Sequence, residues 1–527
     1  MFQTSSSSHS GSMESDTSKS RDPTGNPLSL YRSCDLKRFI VKLCNKNIPE
    51  LKKMGIDVPE YDRSKLEPHI VHIGLGHFHR SHFLTYLDTL IRKGQETSGV
   101  FEVDIVPSNG SFISNLRAQD YLYSVLSLGA DGSRKLRVNG PIIGYANQTT
   151  DSDKVLAVLS SEDTRLITLT ITEKGYLYLD ETNSLDWKNP AIIHDLESCE
   201  APKTAVGVLS LSLRKRFMDD RPVTIMSCDN VPENSVMLRN CILMFCRKKY
   251  PEIVSWVEKK IAFPCTMVDR ITPGTTDKDI KVLQVEYGLE DSCPVHCEDF
   301  LQWVVEKKSC TAVPDFSKAG ALMVDDVKCY ELMKIRLLNG SHSALSYPAY
   351  MMGITAVHDA VNNDVIRDFI RNHYMEEITT TLAPVPGMDI DGYKDKLISR
   401  FSNTNIADTI LRLASDGSKK ISNAIIRPLE ETIDRKKDMN AIILTLAMWE
   451  YFFMFKDNEG RGMPIDDPKA EELLRVCDDP EAFLVVAGLN EKYKGEKWLF
   501  KEMESDLAAL KCKGVQRCLE EFCENGH

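Results

Sequence analysis

His69-Ile-Val-His-Ile-Gly-Leu-Gly-His-Phe-His-Arg80 is a short β-rich run closed by two glycines and followed by a helical pattern over Ser81 to Lys93. Strand, glycine loop and helix in that order open a dinucleotide-binding α/β fold, and this decides the reading of the first half of the chain. Gly74 would make the tight turn, and Gly76 would let the backbone approach a pyrophosphate. His79 stands where the third glycine of G-x-G-x-x-G belongs, so an ordinary βα turn fits the motif as well.

Working outward, a second strand signal at Phe101 to Val106 ends in Pro107-Ser108-Asn109-Gly110. An acid at this place binds the ribose hydroxyls of NAD and repels the extra phosphate of NADP. Ser108 and Asn109 are uncharged, so the choice between the two stays open. Further β-like runs are Arg165 to Thr172, followed by Glu173-Lys-Gly-Tyr176, and Val223 to Ser227, followed by Cys228-Asp-Asn230. Ligands of open α/β sheets sit at the carboxyl ends of strands, which makes Asn230 a candidate; a plain turn over Asp229-Asn230-Val231-Pro232 competes with it. Asp269 and Arg270 stand side by side in an apolar setting, as an ion pair or as ligand contacts.

Near residue 325 the pattern changes to helices, among them Asp364 to Met375, Asp438 to Phe455 and Glu496 to Cys523. The expected organisation is a disordered tail over residues 1–35, a Rossmann-type α/β domain over 36–325 and a mainly α-helical domain over 326–527. At the entry to the last lie Lys334, Asn339 and His342, within nine residues and among Leu332, Met333, Ile335, Leu337 and Leu338. A solvated helix edge is one reading and a buried polar site the other. On an ideal helix His342 lies about 80° and Asn339 about 140° around from Lys334, so the site needs a bend at Asn339-Gly340 or a long lysine reach. Glu331 shares the face of Lys334, as a proton relay or as a surface partner.

Composition bounds the rest. With 527 residues, 42% apolar and 27% charged, the chain has material for two cores. A net charge of −12 argues against nucleic acid or an anionic membrane as main partner and favours a small molecule. The fifteen cysteines are scattered singly, without the paired spacing of a zinc site; this holds also for Cys293 with Cys297 and for Cys512, Cys518 and Cys523. Reduced thiols, no metal and cytoplasmic residence are expected. The apolar block Ala441 to Phe455 is too short to span a bilayer and reads as a buried helix. The Asn339-Gly-Ser acceptor pattern carries no weight where no secretory leader is read.

Five ordered motifs, Gly74 to Arg80, Thr172 to Tyr176, Ser227 to Asn230, Met267 to Pro273 and Lys334 to His342, resemble the polyol-specific long-chain dehydrogenases, on the mannitol-oxidising side of that family. The resemblance spans roughly residues 68 to 500. It implies a nicotinamide cofactor, NAD with NADP left open, a metal-free site between the two domains, and interconversion of D-mannitol and D-fructose. Lys334 matches the family's general base, Asn230 and Asn339 its two amides, and His342 its histidine. Asp269 and Arg412 match substrate contacts, with Asp416-Gly417-Ser418 nearby; Gly74, Gly76, Phe78, Arg80, Ser108, Asn109 and Glu173 are the expected cofactor contacts. His77 departs from the small residue usual in the loop. A fructuronate or tagaturonate reductase is the alternative in the same fold, and a non-catalytic cofactor-binding sensor the alternative in another class. The partner is then a sugar polyol or ketose, with oligomeric state open and a monomer allowed.

Overall fold

The computed structural model describes residues 40–107, 110–179, 182–198, 201–406, 408–433, 439–456, 460, 462 and 464–525. The expected tail over residues 1–35, and Ser108 and Asn109 with it, lie outside the described residues.

Glu67–Ile73 (β1) is the middle strand of a five-stranded parallel sheet. Ser98–Asp104 (β2) and then Ile142–Asn147 (β3) lie on one side of it, Leu166–Leu169 (β4) and then Thr224–Ser227 (β5) on the other. The spatial order β3-β2-β1-β4-β5 reverses direction between β1 and β4, the point where doubly wound sheets take their ligands. From His69 to Ile73 every residue of β1 is buried, the two histidines included, as a central parallel strand covered on both faces requires. Ile73 pairs with Val103 and with Leu169, so three strands end level beneath Gly74.

The helix expected over Ser81 to Lys93 starts earlier and comes in two pieces, His77–Ser81 (α1) and Phe83–Arg92 (α2). His82 breaks it: its ring stacks on Phe78 at 4.8 Å and its Nε2 meets the Gln302 carbonyl at 2.9 Å. Docking onto a distant strand here overrides helical continuity.

Thr266–Asp269 (β6) pairs antiparallel with Gln302–Glu306 (β7), which pairs parallel with Leu322–Val324 (β8). From Lys328 onward the regular elements are helices, beginning with Lys328–Met333 (α3), a π-turn over Lys334–Asn339 and Gly340–Met351 (α4). The architecture is therefore the expected one, a Rossmann-type α/β half followed by a helical half. Met267 of β6 and Val304 of β7 pack into the same apolar cluster as Met333 and Leu337, which fixes the π-turn against the end of β6. The apolar block forms the buried helix Asn440–Met454, and among the described residues no helix is long and apolar enough to cross a membrane.

Candidate active site

Within the π-turn the Gly340 N–H reaches back to the Ile335 carbonyl. A ladder of this kind joins residues five apart, so Lys334 and Asn339 come to one side of the helix. The bend expected at Asn339-Gly340 is absent: Asn339 (φ −70°, ψ −37°) and Gly340 (φ −62°, ψ −44°) stay helical, and the widened turn replaces the bend. A Cβ on Gly340 would stand 2.1 Å from Tyr374 Oη, so only glycine fits there.

Asn230, Asp269, Lys334, Asn339, His342 and Arg412 all line one cavity of about 1070 Å³. Lys334 is 5% exposed, and its Nζ donates to Asn230 Oδ1 and to the Val268 carbonyl, each at 2.5 Å. Burial pulls this ammonium below the ordinary lysine value; Asp269 opposes the shift and Arg400 adds to it. An ammonium offers only donors, so the Asn230 oxygen must face it and the amide NH2 is left for the cavity. Asn230 owes its place to Asp229, which accepts from the N–H groups of Ile171 (3.1 Å) and Thr172 (2.8 Å) and from Tyr176 Oη (2.6 Å). These bonds tie the segments after β4 and β5 together.

Asp269 does not pair with Arg270. Arg270 donates instead to the carbonyls of Ser81 and Glu298 and to Ser127 Oγ. The partner of Asp269 is Arg400, on Ile390–Phe401 (α5), through bonds of 2.7 and 2.8 Å, and Arg400 also grips both oxygens of Glu298. Burial pushes the Asp269 carboxyl up, but Arg400, helped by Lys334 and His342, brings it below the usual range. The sequence reading missed Arg400, although it had a signal: an arginine seven residues after Tyr393, on the stripe that Leu397 and Phe401 continue, lies on a buried face.

His342 packs its ring on Phe401 at 4.7 Å, and its Nε2 is buried with no hydrogen-bond partner. Burial brings its pKa down to about 3, so the imidazole is neutral at ordinary pH. Arg412 is held by Asp408 through two bonds, and its exposed head lines the cavity. Lys420, a second cation that the sequence reading missed, also lines it, with Nζ on the carbonyls of Leu413 (3.1 Å) and Arg412 (3.3 Å). Glu331 is buried beside this group; it accepts from the Glu233 N–H at 3.4 Å, and burial raises its pKa to about 7.

The glycine loop lies at the switch point. Gly74 has φ +106°, and a Cβ on it would stand 2.1 Å from the Thr170 carbonyl oxygen, whereas one on Gly76 would meet nothing within 4 Å. A tight turn followed by bare, accessible backbone fits a dinucleotide pyrophosphate. His77 is exposed at the start of α1, and Phe78 is half-buried against His82. Arg80 is fully buried and commits its guanidinium to the carbonyls of Cys293 (2.6 Å) and Gly76 (3.3 Å). His79, in the third-glycine position, packs flat on His72 and meets Glu102 at 2.9 Å. The acid that ends β2, Asp104, is drawn inward to the Leu75 N–H and Tyr145 Oη. Glu173 pairs with Lys419 of the helical half. Ser81 of α1 bonds Thr272, which lines the cavity, so the loop and the cavity adjoin.

A doubly wound sheet with a bare glycine turn, next to a cavity built on a buried lysine, defines a dinucleotide-fold protein with a lysine-centred pocket. The description "Mannitol dehydrogenase Rossmann domain" matches residues 68–318, and "Mannitol dehydrogenase C-terminal domain" matches residues 326–491. Mannitol 2-dehydrogenase of Phaeosphaeria nodorum is 35% identical over 92% of this chain and 86% of its own length. That of Pyricularia oryzae is 34% identical over 91% of this chain and 99% of its own. Among solved structures, the Pseudomonas fluorescens mannitol 2-dehydrogenase ternary complex with NAD and D-mannitol matches with a TM-score of 0.80 at 32% identity, covering 92% of this chain and 100% of that one. A D-sorbitol dehydrogenase in substrate-free form matches with a TM-score of 0.82 at 31% identity, covering 88% and 97%. The chain belongs to the mannitol dehydrogenase family.

Proposed function

We propose that the chain interconverts D-mannitol and D-fructose with NAD, using a lysine general base and no metal. The observation that carries this reading is the buried Lys334 ammonium, held between Asn230 and Val268 in a cavity that also takes in Asn339 and His342. Relatives named mannitol 2-dehydrogenase, and a structural neighbour holding NAD and D-mannitol, support the substrate and the cofactor.

When bound, NAD takes the hydride in oxidation and returns it in reduction. Lys334 Nζ receives the proton of the reacting hydroxyl, and burial favours the neutral amine that accepts it. The NH2 groups of Asn230 and Asn339 donate to the oxygen as it gains negative charge, and neither amide titrates. His342 Nε2, Asp269 and Arg412 bind and orient the remaining hydroxyls, with Arg400 keeping Asp269 ionised. Glu331 relays the proton from Lys334 toward solvent, a role that suits a carboxyl lifted to about 7. Gly74, Gly76, Phe78, Ser108, Asn109 and Glu173 hold the cofactor, and Arg80 shapes the loop from beneath.

The reading needs no residue from a second copy, and a monomer is compatible with it. Cytoplasmic residence belongs to the same proposal, supported by the free thiol state of every described cysteine. NADH oxidation with D-fructose as substrate, run beside D-fructuronate and D-tagaturonate and repeated with NADPH, tests it. Turnover with D-fructose and NADH is expected. Preference for a hexuronate moves the chain to the reductase alternative, and no turnover with any of them leaves the sensor.

A further inference from the structure

A second π-turn lies on the helical half, over Phe369–Tyr374, with the Met375 N–H reaching back to the Ile370 carbonyl. As in the first, the wider ladder brings residues five apart to one side, here Asp368 and His373. The final helix, Val515–Asn525 (α6), docks on this turn, with the Phe522 ring set edge-on to Phe369 at 5.5 Å and to His373 at 5.3 Å. Docking places Cys523 beside the pair. One ligand atom from each of Asp368, His373 and Cys523 lies within 4.8 Å of the other two, and all three residues are half-buried.

We propose that Asp368, His373 and Cys523 bind one zinc ion, which fastens the last helix to the body of the helical half. Carboxylate, imidazole and thiolate form a mixed donor set that zinc accepts, and tetrahedral bonds of ordinary length put such atoms roughly 3.3 to 3.6 Å apart. The set closes by side-chain rotation of about an ångström, for which half-buried groups have room. Asn372 Nδ2 donates to Asp368 Oδ1 at 2.5 Å and orients the carboxylate; the Cys523 thiol is hydrogen-bonded to the same carboxylate, and the metal would replace that proton between them. On binding, the Cys523 S–H bond breaks, its proton goes to solvent, and a zinc–sulfur bond forms with no change of oxidation state. Water fills the fourth position. No motif along the chain points to this site, because its ligands come from two segments about 150 residues apart and share no C-x2-C spacing.

Among the described residues the other cluster of this kind, His72 with His79 and Glu102, is fully buried, and His72 is already spent: Nδ1 meets Thr168 Oγ1 at 2.7 Å and Nε2 meets the Gly74 carbonyl at 3.0 Å. The Cys523 site stands apart from the cavity around Lys334, so the inference is independent of the catalytic reading.

The test uses the full chain, stripped with EDTA and titrated with Zn2+ by calorimetry, with Co2+ as a parallel spectroscopic probe. Wild type should take up one zinc equivalent that Cys523→Ser and His373→Ala lose and Cys512→Ser, at an exposed cysteine, keeps. The Co2+ form of wild type should show a thiolate-to-cobalt charge-transfer band, a readout that needs no variant to fold. Zinc should raise the melting temperature of wild type and leave that of Cys523→Ser unmoved, while D-fructose reduction by the stripped protein stays unchanged. Equal zinc stoichiometry in wild type and Cys523→Ser, or a wild type without the cobalt band, overturns the proposal.

Discussion

Arg400 and Asp269 meet through two parallel hydrogen bonds of 2.7 and 2.8 Å, one partner on a helix of the C-terminal half and the other at the end of β6. Their side chains are 3% and 4% exposed, and the same guanidinium holds Glu298. Removing one member of a buried pair costs about 3–5 kcal/mol, because the other is left charged without a partner. Arg400→Ala should therefore lower the melting temperature sharply. Arg400→Lys should recover only part of the loss, since an ammonium cannot present the planar fork. A scanning calorimetry trace with wild-type melting for Arg400→Ala would remove the clamp from the account.

For Lys334 the prediction concerns the sign of the pH response. With Lys334 as the proposed base, oxidation needs the neutral amine, so its rate should climb as pH rises through the lysine pKa, while reduction, which needs the ammonium, should fall through the same midpoint. That midpoint should lie below the ordinary lysine value of 10.5, because burial favours the neutral form. Lys334→Met should cut kcat by about 10²-fold or more and erase both limbs. Persistence of the limbs in steady-state profiles of Lys334→Met would assign the proton to another group.

His342, with a pKa brought down to about 3, should contribute no limb between pH 5 and 9. His342→Gln should raise KM for the sugar and leave the shape of the pH profile as it was. Loss of a limb in that variant would mean that the imidazole carries the proton.

Gly340→Ala drives a methyl group to 2.1 Å from Tyr374 Oη. Overpacking of this kind costs about 1–3 kcal/mol. Adding Tyr374→Phe removes the obstructing oxygen, whose hydrogen bond to the Arg336 carbonyl is long at 3.4 Å, and should restore most of the stability. Denaturant midpoints of the single and double variants check this, and equal midpoints for the two would contradict it.

Glu450 is 0% exposed on the apolar helix Asn440–Met454, with neither carboxyl oxygen hydrogen-bonded, and burial pushes its pKa up to about 8. The folded state thus keeps a proton that the unfolded chain releases near 4.5. Stability should fall as pH rises between those values, because there the folded state binds more protons. Glu450→Gln should flatten that decline, as read from melting temperatures at pH 5 and pH 9.

What the sequence made legible was local. The run from His69 to Arg80 announces strand, turn and helix within twelve residues, and Lys334, Asn339 and His342 stand close enough to be read together. Arg400 lies 131 residues from Asp269, and no pattern along the chain joins them. Arg270 misled because it is adjacent: successive side chains of an extended strand point to opposite faces, so neighbours there do not pair. The π-turn was hidden for a different reason. Apolar periodicity is counted at 3.6 residues per turn, and one wider turn shifts the angular position of every later residue in the helix without changing composition.

The widened turn over Lys334–Asn339 makes the site a matter of counting as well as of chemistry. It holds one residue more than the α-helical turn it replaces. Winding the same residues as an α-helix, with nothing removed, would carry Asn339 to about 140° around from Lys334. Every side chain of the site would survive such a change, and the constellation would not. Kinship measured by matching residues is blind to that difference, whereas the hydrogen bond from the Gly340 N–H to the Ile335 carbonyl records it.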